Sequence, residues 1–205
     1  FMDNVIDVSN YPLEAQRMEA IAKRRIGLGV TGLADALAMC GLVYGSREAA
    51  NRAASWMREI EEAAYLTSVE LARERGPFPL YDKAKFGASG HAARLPEEIR
   101  VAIRKDGIRN GLLTSIAPTG TISLFAGNVS SGIEPIFSIG YDRKILQADG
   151  SSRVERVTDY AASMWWKLKG RDVPFPESFV TSETLPPSAH LAMQESVQRH
   201  VDSSI

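Results

Sequence analysis

A chain of 205 residues is long enough for one sizeable core or two small ones. Its 24 basic and 25 acidic residues leave a formal net charge of -1, which argues against a general nucleic-acid binder, since such a protein shows a basic excess or patch. No run approaches the roughly 18 apolar residues of a membrane span, no secretory signal is visible, and the single Cys40 excludes an internal disulfide and suggests a reducing compartment.

In chain order, residues 1–12 read as extended or irregular, ending at Tyr11-Pro12. Residues 13–24 read as a polar helix with few core positions. The stretch from Arg25 to Gly32 holds too much glycine for a helix interior. Leu33 to Cys40 contains strong helix formers and is closed by Gly41. The clearest element spans 46–75. Ser46 is a good N-cap, and Glu48 sits in the first turn, where the helix dipole favours an acid. Ala49, Ala53, Trp56, Met57, Ile60, Ala63 and Ala64 recur at helical spacing, and Gly76-Pro77 stops the helix. The pattern predicts one long helix with the Ala49, Ala53, Trp56, Ile60 face buried.

Residues 78–95 read as a loop-rich connection. Pro96 starts a short helix running to about Lys105, and Leu112 to Ile116 reads as a buried strand stopped by Pro118. Thr121 to Phe125 begins a helix, and Asn128 to Gly132 is a polar loop. Ile136 to Leu146 has strand character, with a turn at Asp149-Gly150. Thr158 to Leu168 reads as a helix, broken by Pro174 and Pro176. A last helix follows Pro186-Pro187, with Met193, Val197 and Val201 on one face. No repeat, low-complexity tract or domain boundary is evident. The expectation is a helix-rich, mixed α/β fold in a single piece. The chain opens without an initiator Met and stops straight after a helical pattern, so it is expected to be a fragment incomplete at both ends.

Three stretches carry candidate chemistry. Gly27-Leu28-Gly29-Val30-Thr31-Gly32 matches the dinucleotide-binding pattern, but no buried apolar strand precedes it and no second strand ends in an acid beyond it. A tightly packed strand or turn before the next helix is the favoured reading. In Leu112 to Ser123 an apolar strand enters a Thr119-Gly120-Thr121 loop and then a helix. Such a loop points backbone N–H groups at one spot, where the helix N-terminus adds partial positive charge, a chemistry suited to phosphate. Gly120 permits close approach or a positive φ, and no Lys follows it, so this is not a Walker loop. An ordinary strand-to-helix turn is the competing explanation. In Ser130-Ser131-Gly132-Ile133-Glu134-Pro135, Glu134 is a carboxylate inside an apolar run, where burial raises a pKa. It is either a structural or an active-site acid, and a structural role is the commoner one.

The remaining residues suggest less. Cys40 reads as a small buried hydrophobe, without a neighbouring His to lower its pKa. His91, His190 and His200 are scattered and form no ligand pattern, so no metal site is expected. Trp165-Trp166 reads as core or interface, not as a base-stacking platform.

Five stretches together resemble the large-subunit barrel of ribonucleotide reductases. They are Phe1 to Asp7, Arg25 to Asp35, Ala117 to Ser123, Ser130 to Pro135 and Gln198 to Ile205, and they fall in the family's order across the whole chain. The Ala-Pro-Thr-Gly-Thr form of the loop is more similar to the adenosylcobalamin-dependent class than to the diiron-dependent class. The resemblance implies a ten-stranded α/β barrel, of which this chain is a C-terminal part. It implies that Ala117, Pro118, Thr119, Gly120, Thr121 and Ile122 hold the substrate phosphates. It also implies a parent oxidoreductase that converts ribonucleotides to deoxyribonucleotides for DNA synthesis by radical chemistry, with adenosylcobalamin as cofactor of the parent and none bound to this chain. The implied partners are the ribonucleotide substrate, the rest of the reductase chain and a thiol reductant system, without nucleic acid or membrane. The parent is expected to be a cytoplasmic homodimer. The sequence departs from the family in one respect: none of the catalytic cysteines maps onto it, and Cys40 stands where the family places neither a radical nor a redox cysteine. The competing expectations are a diiron-dependent large subunit and a non-catalytic phosphate-binding module.

Overall fold

A computed structural model describes residues 1–205. In chain order the elements are α1 (Met2–Val8), α2 (Glu14–Lys23), α3 (Leu33–Met39), α4 (Arg47–Arg75), α5 (Lys83–Gly87), a 3-10 turn (Ala92–Arg94), α6 (Glu97–Asp106), α7 (Gly120–Phe125), β1 (Gly140–Leu146), β2 (Ser152–Thr158), α8 (Tyr160–Lys169) and α9 (Pro187–Gln198). The fold is mixed α/β and helix-rich, as expected. Its one regular sheet is the antiparallel β1–β2 pair. Isolated parallel bridges join Leu28 to Thr114 and Ile136 to Thr181. The chain forms two compact units: Phe1–Leu28, Ser55–Ser115 and Gln198–Ile205 in the first, Gly29–Ala54 and Ile116–Val197 in the second. Each unit is assembled from separated stretches, so no single linker marks a boundary in the sequence. No helix is long and apolar enough to cross a membrane.

The long helix is present as α4, 29 residues without a break. The Ser46 hydroxyl accepts the Ala49 N–H at 3.1 Å, and Gly76 at φ 80° ends the helix by donating to the Ala72 carbonyl. Its buried stripe differs from the one read from apolar residues. Ala49, Ala53, Met57, Tyr65, Val69 and Ala72 are buried, but so are the polar Glu61 and Ser68, while Trp56 and Ile60 are only half-buried. Polar partners explain the polar positions. Glu61 receives His91 Nε2 at 2.5 Å and His200 Nδ1 at 2.8 Å. Ser68 donates to Asn110 Oδ1 and accepts the Asn110 N–H.

Burial pushes the Glu61 carboxyl up, but the bonds from His91 and His200 outweigh it and hold the group below its ordinary value. A depressed carboxylate stabilises the fold above its unfolded pKa. That stabilisation is therefore fully present above about pH 4.5 and is lost as the pH falls through the folded value. Glu61→Gln is expected to flatten this part of the acid limb in a denaturation-versus-pH series. An unchanged limb would mean that the two histidines do not hold the charge.

Residues 1–12 contain α1, where an irregular segment is expected from the sequence. The helix has no apolar period because its inward face carries an acid. Asp3 and Ile6 are its buried residues, and Asp3 meets Arg24 Nε at 2.7 Å. Arg24 also donates to both Asp7 carboxylate oxygens and to the Asp3 carbonyl. Arg109 Nε and Asn110 Nδ2 also bond Asp3, and Arg75 lies 3.7 Å from its carboxylate. Next to it lies an apolar cluster of Tyr65, Val69, Phe78, Leu95, Ile99, Ile103, Ile108 and Leu113. The 78–95 connection is less irregular than expected, because it holds α5, capped by Asp82, and the 3-10 turn.

The expected strand at Leu112–Ile116 forms one bridge and no regular ladder. Asp202 supplements the backbone pairing that this stretch makes with Ile26 and Leu28. It accepts the Leu113 and Thr114 N–H groups at 2.8 and 2.9 Å and also the Tyr65 hydroxyl. In the second unit, the expected strand from Ile136 begins only at Gly140, and its hairpin partner β2, which carries no apolar alternation, was not read from sequence. The last helix buries Met193 and Val197 as expected. Trp165 and Trp166 are half-buried against Phe179 and Phe175.

Candidate phosphate-binding site

The second unit brings together the Thr119–Gly120–Thr121 loop, the Ser130–Gly132 loop and the start of α3. The positive φ that the sequence suggests for Gly120 lies instead at Thr119, at 53°. A β-branched residue in the left-handed region stores strain, on the order of 1–3 kcal/mol. Its hydroxyl holds it there. Thr119 Oγ1 accepts the Gly132 N–H at 2.7 Å and bonds Thr31 Oγ1 at 2.9 Å. Thr31 Oγ1 in turn donates to the Ser130 carbonyl. Gly132 must be glycine, because its φ is 51° and a Cβ would lie 2.8 Å from the Ala117 carbonyl oxygen.

The consequence is a helix start that is exposed and unoccupied by protein groups. α7 begins at Gly120, and Thr119 caps it with no side-chain bond. The N–H groups of Gly120, Thr121 and Ile122 have no acceptor within the protein, as first-turn donors require a partner from outside the helix. A Cβ placed on Gly120 would meet no atom within 4 Å. Ala117, Pro118, Thr121 and Ile122 are exposed around it. Ser123 is buried and donates back to the Gly120 carbonyl.

Beside the loop is a polar cavity of about 380 Å³. Ser131, Asn128, Glu134, Tyr141, Arg143 and Asp159 are among its lining residues. Glu134 corrects the sequence reading. It is exposed, while Ile133, Pro135 and Ile136 on either side are buried. The loop turns the carboxylate outward and sends only its apolar neighbours into the core. Cys40 is likewise exposed, at the C-cap of α3, where a buried hydrophobe was expected. A larger cavity of about 500 Å³ in the first unit, lined by Phe86, Ala92, Ile103, Lys83, Arg100 and Arg104, is mainly apolar.

The glycine-rich stretch before α3 does not leave a pyrophosphate site. The Ala34 and Asp35 N–H groups, which such a ligand would take, both point to Ser130 Oγ. In the first unit, a Cβ on Gly27 would overlap Ser115 Oγ. These glycines permit close packing, as the sequence reading favours.

Two acids in this unit were given no role from the sequence. Asp35 and Asp159 are both buried, and their carboxyl groups face one another. Burial, then the neighbouring Asp35 charge, pushes Asp159 up to about 8. Burial also raises Asp35, against the Ser130 N–H that its carboxylate accepts. The sequence pattern places Asp159 inside a helix from Thr158, whereas it is the N-cap of α8, which begins at Tyr160.

Comparison with known proteins decides the family. Residues 1–205, the whole chain, match the family described as ribonucleotide reductase, barrel domain. The chain belongs to that family. It is 37% identical to the vitamin B12-dependent ribonucleoside-diphosphate reductase of Mycobacterium tuberculosis (strain CDC 1551 / Oshkosh), with all of this chain and 30% of that protein covered. It is 32% identical to the vitamin B12-dependent ribonucleoside-diphosphate reductase of Thermoplasma acidophilum, again over the whole chain and 27% of that protein. The ribonucleoside-diphosphate reductase subunit alpha of Helicobacter pylori (strain ATCC 700392 / 26695) is also 32% identical, over 66% of this chain. The chain thus spans about 30% of the length of the first of these relatives.

Proposed function

We propose that this chain is the substrate-phosphate-binding part of a cobalamin-dependent ribonucleotide reductase. Ala117, Pro118, Thr119, Gly120, Thr121 and Ile122 form the loop, and the substrate is a ribonucleoside diphosphate. The observation that carries this reading is the exposed start of α7, where three N–H groups without acceptors stand beside a strained Thr119. Strain maintained by dedicated hydrogen bonds marks a loop whose shape matters for binding. The N–H groups give the phosphate oxygens donors, and the cavity beside them offers hydroxyl, amide and carboxyl groups to the sugar. The names of the relatives support both the diphosphate and the cofactor.

Adenosylcobalamin, when bound, initiates the radical chemistry that replaces the ribose 2′-hydroxyl with hydrogen. The cofactor is assigned to the rest of the reductase chain, together with the radical and redox cysteines, none of which maps onto this chain. The whole protein carries the ten-stranded barrel of which this chain is a part, draws electrons from a thiol reductant system, and works as a cytoplasmic homodimer.

The test is activity with and without the remaining sequence. The full-length protein is expected to bind cobalamin and, with a dithiol, to form deoxynucleotide. The 205-residue chain alone is expected to form none, because Cys40 cannot act as both radical carrier and dithiol. Failure of the full-length protein to bind cobalamin would reject the class, and turnover by the isolated chain would reject the division of roles.

A further inference from the structure

The two buried acids of the second unit lie at two helix starts. Asp35 is in the first turn of α3 and Asp159 is the N-cap of α8; each is 3% exposed. Asp35 Oδ2 accepts the Ser130 N–H at 2.8 Å, and Asp159 Oδ1 accepts the Ala162 N–H at 3.0 Å. The Ala161 N–H faces both carboxyls. No Lys, Arg or His pairs with either acid; Glu134, Tyr141 and Arg143 line the same cavity as Asp159, and the titratable group coupled to each acid is the other. Asp35 Oδ1 receives no N–H or hydroxyl donor at all. Two ionised carboxylates in such contact repel and have no hydrogen to share. A single proton between them removes the repulsion and supplies the missing donor, leaving one negative charge at the two helix N-termini.

That pair is connected to the loop by an unbroken series of hydrogen bonds. Asp35 fixes the Ser130 N–H, and Ser130 Oγ accepts the Ala34 and Asp35 N–H groups. The Ser130 carbonyl accepts the Gly32 N–H at 2.7 Å and the Thr31 hydroxyl at 3.0 Å. Because the Thr31 proton is directed to Ser130, Thr31 Oγ1 accepts from the Thr119 hydroxyl. Thr119 Oγ1 accepts the Gly132 N–H in its turn.

We propose that Asp35 and Asp159 share one proton, and that this singly charged pair positions the phosphate-binding loop through Ser130, Thr31 and Thr119. Neither acid touches substrate; both are positioning residues. The role in binding rests on the reading of Thr119–Ile122 as the phosphate loop.

The experiment compares Asp35→Asn and Asp35→Ala in the full-length protein, reading substrate KM and kcat against pH. The asparagine keeps an acceptor for Ser130 and gives Asp159 a permanent N–H, which reproduces the shared proton without titrating. Wild-type KM is expected to rise as the pH passes about 8, and Asp35→Asn to lack that rise. Asp35→Ala is expected to raise KM about tenfold at neutral pH with little change in kcat, and Asp35→Asn to restore it to within about twofold. An alkaline rise that persists in Asp35→Asn, or an alanine variant with normal KM, overturns the proposal. If the alanine variant does not fold, the asparagine pH profile decides.

A second readout needs no substrate. A carboxyl raised from 3.8 to about 8 in the folded state stabilises it fully below about pH 3.8, and that stabilisation is lost as the pH rises through about 8. Asp159→Asn should remove this slope from wild-type unfolding curves. Wild type and variant with equal slopes overturn the shared proton. A normal slope difference with unaltered KM in all variants overturns the positioning role alone. If in addition Gly120→Val binds substrate normally, it is the phosphate-loop reading that has failed.

Discussion

Arg24→Met is expected to destabilise the protein by about 3–5 kcal/mol, the usual cost of removing one member of a buried ion pair. Arg24 and Asp3 are 3% and 4% exposed, and the methionine would leave the Asp3 charge buried with its principal partner gone. Arg109 Nε at 3.2 Å and Asn110 Nδ2 at 3.1 Å remain, but neither replaces the 2.7 Å bond, and the Asp3 carbonyl would also lose its donor. The effect has a pH signature. Burial pushes the Asp3 carboxyl up, yet Arg24 and Arg109 outweigh it and hold it below its ordinary value. Its contribution to stability is thus present above about pH 3.8 and lost as the pH falls through the folded value. Denaturant titrations at neutral pH and at about pH 3 check both points. A loss at neutral pH of under about 1 kcal/mol would show that water reaches Asp3 or that Arg109 takes over.

Gly120→Val is expected to weaken substrate binding by about tenfold to a hundredfold while leaving the fold intact. The range corresponds to losing one charge-assisted hydrogen bond, about 1.5–3 kcal/mol, between a phosphate oxygen and a first-turn N–H. The structure makes this substitution informative. Gly120 does not have a positive φ, and a Cβ there meets no protein atom within 4 Å. Any effect therefore comes from the space in front of the loop and not from strain behind it. Calorimetry with a ribonucleoside diphosphate on the full-length protein measures it. Unchanged substrate affinity would reduce the loop to an ordinary turn.

Much of this protein was determined by the sequence itself. The caps and period of α4 are local properties, so Ser46, Gly76 and the apolar spacing between them were sufficient. The same holds for α2, α3, α6, α7 and α8, each readable from helix formers and stop residues within its own span. The loop proposed to bind phosphate was legible as a Thr-Gly-Thr turn and a helix start, and the motif order gave the family. Tertiary structure decided what depends on partners distant in sequence. α1 exists around an acid that only Arg24, 21 residues on, makes tolerable. Glu61 lies in a buried stripe because His200, 139 residues away, meets it. Asp202 supplements the backbone pairing of Leu113 and Thr114, 89 and 88 residues earlier. Glu134 points outward although its neighbours are apolar, and the positive φ fell on Thr119 because Thr31 and Gly132 hold its hydroxyl. Local propensity and periodicity act over a few residues and survive in one dimension. Burial of charge is allowed only where a partner arrives, and chain order does not reveal which partner that is.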